Sequence, residues 1–135
     1  MLIIRASLRP SQIQGIGLFA EEKILKDSIT WRFNPRFDIL FDPEEIVKMS
    51  LLQRNLIKHF AYLSKLTGKY VYSIDDSRFT NHSSKQNNID VILLPDELEM
   101  CGIANRNIEV GEEIISNYRT FDANDENGDE EYLNN

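Results

Sequence analysis

The chain has 135 residues, 41% hydrophobic and 10% aromatic, which suits one compact domain and leaves no room for a second core. Its net charge of −7 gathers at one end: six acids follow Arg119 with no base among them, leaving 16 acids against 15 bases in the body. That balance excludes the basic face that direct nucleic-acid binding needs, and the single cysteine, Cys101, excludes an intrachain disulfide and a cysteine-ligated zinc.

The apolar start meets Arg5 and polar residues at once, so no signal peptide is expected. No apolar run approaches the roughly 20 residues that cross a bilayer. The expectation is a soluble, cytoplasmic chain with no membrane contact and a reduced, buried thiol. The acidic stretch 122–135 reads most simply as a solvated, frayed end, and otherwise as a lure for a basic peptide.

In chain order, residues 2–4 read as a strand, followed by a glycine-punctuated turn at Gly15 and Gly17 and a strand over 18–20. Residues 29–31 and 37–41 are strand-like, with Asn34-Pro35 turning between them. Asp42-Pro43-Glu44-Glu45 offers an N-cap, a proline at the first helical position and acids in the first turn. Met49, Leu52, Leu56 and Phe60 then recur at spacings of three and four, which predicts one helix with its apolar stripe on the core. Past Phe60 the period changes. Strands are expected over 62–63, 70–72, 89–94 and 100–104, and a turn at 109–112 leads into a last strand closed by Tyr118. The class is mostly β with one main helix, a domain over 1–121 and an acidic tail over 122–135.

Three separated segments carry chemistry. They are Gln14-Gly15-Ile16-Gly17-Leu18-Phe19-Ala20, then Arg78-Phe79-Thr80-Asn81-His82-Ser83-Ser84-Lys85-Gln86-Asn87, then Ala104-Asn105-Arg106-Asn107-Ile108 through Gly111-Glu112-Glu113-Ile114 to Tyr118. The glycine pair alone fits any tight turn, whereas the Asn-His-Ser segment is specific, and all three in this order make coincidence improbable. Together they resemble the signature of SET-domain protein-lysine methyltransferases, and residues 29–35 and 118–122 are similar to short, free-standing bacterial SET proteins.

The resemblance implies the SET fold, short sheets around a C-terminal pseudoknot in which the Asn81-His82 segment threads under a loop. It implies methyl transfer from S-adenosylmethionine to a lysine of a basic protein or peptide. Tyr118 becomes the catalytic phenol. Gln14, Gly15, Ile16, Gly17, Tyr62, Arg78, Phe79, Asn81, His82 and Phe121 become the cofactor-binding set. Such chemistry is an in-line displacement that gains most from positioning. The site must also favour the neutral form of an amine that titrates near roughly 10.4 in water. No metal is implied, because His82 has no second ligand at metal spacing, and His59 falls in the helix. So small a chain is compatible with a homodimer.

The sequence departs from the family where Ser116 and Asn117 precede Tyr118, in place of an aromatic and an aspartate. Gln86 replaces a proline, Asp27 stands where a turn glycine is common, and no cysteine-rich segment follows. These departures keep a second reading open: a degenerate SET domain that binds peptide or cofactor without catalysis.

Overall fold

The computed structural model describes residues 1–128 and 130–134; positions 129 and 135 of the acidic stretch lie outside the described residues. Among the described residues, ten short strands form two sheets. In the larger, β1 (Ala6–Pro10), β2 (Ile16–Ala20), β10 (Glu113–Ser116), β8 (Ile89–Ile92), β9 (Cys101–Ala104) and β3 (Ile29–Trp31) lie in that order, and β7 (Asn81–His82) also pairs with β10. The smaller sheet runs β4 (Asp38–Phe41), β6 (Tyr70–Ser73), β5 (Tyr62–Leu63). β10 pairs antiparallel with β2 but parallel with β7 and β8. Its first two residues meet β2 and its last two meet β7 and β8, so it joins segments that are far apart in the chain. Leu18, Ala20, Ile24, Ile89, Ala104, Ile108 and Ile114 form the buried core on this sheet, with Leu2, Ile4 and Ala6 packed against it.

The first strand is not where the sequence suggested. Residues 2–4 make only a bridge, Leu2 to Trp31, because the Leu2 N–H is taken by the Asp75 carboxylate at 2.7 Å and not by a ladder partner. The strand lies at β1, which returns as β2 through a turn closed by Ser11 N–H donating to the Gly15 carbonyl at 2.9 Å. Gly15 has φ +51°, as the turn requires. Gly17 lies inside β2 and does not turn the chain. Asp27 has φ +68°, the left-handed backbone for which a glycine is common.

The expected single helix is two. α1 (Pro43–Val47) starts at an Asp42–Glu45 capping box, and α2 (Leu51–Phe60) restarts at a second box in which Ser50 and Gln53 satisfy each other's backbone N–H groups. The expected core stripe is also corrected. Leu52 is 81% and Leu56 50% exposed, and only Ile57 of α2 is buried. Periodicity marks an apolar face, and of this one the Phe60 end is covered, by the Tyr72 and Phe79 rings, while Leu52 and Leu56 stay exposed.

The last strand ends at Ser116, and Tyr118 opens a short 3₁₀ turn, Tyr118–Thr120, capped by the Asn117 side chain. Beyond it the acidic stretch is not the frayed end that charge suggested. Asp122, Asp125 and Leu133 are buried, and residues Glu131–Asn134 form another 3₁₀ turn that packs on His82. No helix among the described residues is long and apolar enough to cross a membrane.

Candidate active site

The loop before β2, the 3₁₀ turn Asp76–Phe79, β7, the end of β10 and the segment after it converge on one cavity of about 780 Å³. Gln14, Gly15, Ile16, Tyr62, Arg78, Phe79, Asn81, Tyr118 and Phe121, nine of the residues singled out by sequence, line it. Gly17 and His82 do not.

Asn81 is positioned by its own donors. Its amide nitrogen reaches the Gln14 carbonyl (3.2 Å), the Ile16 carbonyl (3.3 Å) and Glu113 Oε1 (2.9 Å). The Glu113 carboxylate also accepts from Ser11 Oγ at 2.8 and 3.0 Å. A side chain at residue 17 would run into that carboxylate and come within 3.1 Å of Ser11 Cβ. Gly17 thus makes room for Glu113, which fixes the amide of Asn81. With the nitrogen spent, the oxygen of Asn81 has no hydrogen bond among the described residues and is the end left for a ligand.

His82 stands behind the wall, 4% exposed. Its Nδ1 accepts the backbone N–H of Tyr118 at 2.9 Å, so the proton sits on Nε2, which donates to the Leu133 carbonyl at 3.3 Å. Burial pushes its pKa below the ordinary 6.5, in keeping with a neutral ring. His82 therefore orients the start of the Tyr118 turn. The Tyr118 hydroxyl donates to the Thr80 carbonyl, and burial, with Asp125 and Asp122 nearby, pushes its pKa above the ordinary phenol value. It stays protonated.

Around Tyr118 the rings of His82 (5.1 Å), Phe121 (5.9 Å) and Tyr132 (6.5 Å) stand tilted or edge-on, and Tyr62 meets Phe121 at 5.1 Å. Burial, with Glu99 next, pushes the Tyr62 phenol well above its ordinary value. Arg78 stacks over both the Phe60 and Phe79 rings at 5.1 and 5.2 Å and donates to the Tyr72 hydroxyl at 3.0 Å. Its Nε is buried and has no partner among the described residues. Ser116, where the family pattern has an aromatic, also faces the cavity and leaves that wall open.

Sequence reasoning missed the cavity residues of the acidic stretch. Asp122, Asp125 and Tyr132 all line the cavity, yet they lie in the stretch read as a tail. Asp122 was visible in the run Tyr118-Arg119-Thr120-Phe121-Asp122, but Tyr132 carries no local signal. Among the described residues no group of His, Cys, Asp and Glu is arranged to hold a metal.

A family model described as the SET domain matches residues 15–119. The chain belongs to the SET-domain family. Its fold is similar to that of solved SET-containing structures. A humanized mutant of the Chaetomium thermophilum Polycomb Repressive Complex 2, bound to an inhibitor, matches with TM-score 0.64 and 26% identity over 87% of this chain and 15% of that one. The same fungal complex, autoinhibited and bound to S-adenosylmethionine, matches with TM-score 0.64 and 24% identity over 87% and 16%. A Plasmodium falciparum protein assigned as a histone methyltransferase matches with TM-score 0.58 and 21% identity over 85% and 93%. This SET chain thus spans about a sixth of the fungal chains and most of the Plasmodium one. No curated protein matches it by sequence.

Proposed function

We propose that this SET domain transfers a methyl group from S-adenosylmethionine to a lysine side chain of a protein substrate. The reading rests on one observation: a single cavity joins the glycine loop and the Asn81 oxygen to the Tyr118 phenol. The residues fit the cofactor. The free oxygen of Asn81 can accept from an ammonium group. At Gly15, which lines the cavity, the space a side chain would occupy is empty to 4 Å, so a ligand can approach the backbone. Bound there, S-adenosylmethionine supplies an electrophilic methyl group on a positively charged sulfur. A structural neighbour determined with that cofactor bound adds support.

The chain's own residues would do the rest. The Gln14–Ile16 loop and Asn81 hold the cofactor's amino-acid end. Tyr62 and Phe121 wall the channel that excludes water, and the protonated Tyr118 offers its oxygen to orient the incoming amine. Desolvation among these rings favours the neutral amine. The natural substrate is then a basic, lysine-bearing peptide, in line with acids at the cavity wall.

Calorimetry with S-adenosylmethionine, followed by mass spectrometry of a lysine-containing basic peptide library, tests this. Cofactor binding and products heavier by one methyl group are expected. Absence of cofactor binding sinks the reading. Binding with no methylated product across the library leaves a binding module.

A further inference from the structure

We propose that Asp122 is a further catalytic residue of this site: its carboxylate receives the substrate's ammonium group and accepts a proton from it. The inference rests on the methyltransferase reading for its substrate, but its geometry stands apart. Asp122 is 7% exposed and lines the cavity beside Tyr118, Phe121 and Tyr62. Its backbone N–H donates to the Tyr118 carbonyl at 2.9 Å, and an isolated bridge to Ser64 pins it next to the end of β5. One carboxylate oxygen, Oδ1, accepts the N–H groups of Leu63 (3.2 Å) and Asn124 (2.9 Å). The other has no hydrogen bond among the described residues.

A buried carboxylate is costly unless a cation meets it. The nearby cations are spent elsewhere. Arg119 donates to the backbone carbonyls of Asp125, Glu126 and Gly128, and Lys65 to the Arg119 carbonyl and the Glu126 carboxylate. Asp125, the second buried acid, is held by the Tyr132 hydroxyl at 2.7 Å and adds negative charge. A ligand that completes this corner is positive and fits against aromatic faces, which describes an alkylammonium group. In the step itself an N–H bond of the ammonium breaks and an O–H bond forms on Asp122. The electron pair stays on nitrogen, which becomes the nucleophile, and the carboxyl later gives the proton to water.

The groups that face Asp122 are Asp125, Tyr62, Tyr118, Tyr132 and Lys65. Burial first, with Asp125 adding to it, raises the Asp122 carboxyl to about 6, against the pull of the two backbone N–H groups and of Lys65. It is thus ionised at neutral pH and more basic than a free aspartate.

The test uses Asp122→Asn, which keeps an oxygen for the Leu63 and Asn124 N–H groups, and n-butylammonium chloride as probe. Wild type should bind n-butylammonium in an NMR titration, and Asp122→Asn at least about tenfold more weakly, with S-adenosylmethionine affinity unchanged by calorimetry. On any peptide the wild type methylates, kcat/KM of Asp122→Asn should fall about 100-fold near neutrality. Its acid limb near pH 6 should vanish, and the deficit should narrow toward pH about 10, where the amine loses its own proton. A purely structural role would lower the rate equally at every pH. In the wild type, n-butylammonium should lower the titration midpoint of the Asp122 carboxyl carbon, a readout that needs no variant to fold. Equal n-butylammonium binding by both proteins, an unmoved midpoint, or a retained acid limb overturns the proposal. If the wild type methylates nothing but n-butylammonium binding still depends on Asp122, the ammonium site stands and the methyltransferase reading falls.

Discussion

Burial in the cavity wall favours the uncharged forms of Tyr62, Tyr118, Tyr132 and Asp122. For Tyr118 this favours the protonated phenol, so the role proposed for its hydroxyl is one of hydrogen bonding. Tyr118→Phe removes the hydroxyl and keeps the ring against His82 and Phe121. It should lower kcat by roughly 10²–10⁴ while calorimetry shows unchanged cofactor affinity; undiminished turnover would take the role from Tyr118. For Asp122 the raised pKa means the native state holds the proton more tightly than the unfolded chain. The stability this contributes is fully present below the ordinary 3.8 and is lost as pH rises through about 6. His82 has the opposite sign: its neutral form favours the native state above 6.5 and stops doing so on acidification. The difference between Asp122→Asn and wild type isolates the first effect. Urea unfolding should show the variant more stable by about 1–2 kcal/mol at pH 8 and no more stable at pH 4. A variant less stable at pH 8 would contradict the raised carboxyl.

At the scale of elements, β10 sets what surrounds it. Glu113, at its start, ties Ser11 and Asn81 and occupies the space that Gly17 leaves empty. Gly17→Ala should displace that carboxylate and cost about 1–3 kcal/mol, a penalty that largely disappears in a Glu113→Ala background. A double-mutant cycle by chemical denaturation measures the coupling, and additive losses would separate the two residues. The glycine pair was legible as a motif because both glycines are local. The reason for the second one was not, since its partner lies far along the chain. The α2 stripe shows the same boundary. Its spacing was legible at Met49, Leu52, Leu56 and Phe60, but what covers a face is decided by other elements, and Leu52 stays in solvent. β1 escaped notice because Leu8, Arg9 and Pro10 are exposed on an edge strand, where no alternation is imposed.

At the scale of the whole molecule, the three motif segments made the family readable, because the fold brings each of them to the same cavity. The end of the chain was misread because charge count cannot see that Asp122, Asp125 and Leu133 turn inward. Leu133 is 1% exposed, and its carbonyl holds the His82 ring. Leu133→Ala should cost about 2–4 kcal/mol by urea unfolding. It should also loosen the His82–Tyr118 contact, lowering kcat more than cofactor affinity; a loss under about 0.5 kcal/mol would mean the segment is not packed there. The central place of β10 has a further bearing on synthesis. The β1–β2 and β8–β9 hairpins can form as they leave the ribosome, but the strand that unites them, and the Tyr118 turn after it, emerge later than both. Until they do, the cavity that Tyr118 helps to line stays incomplete on the growing chain.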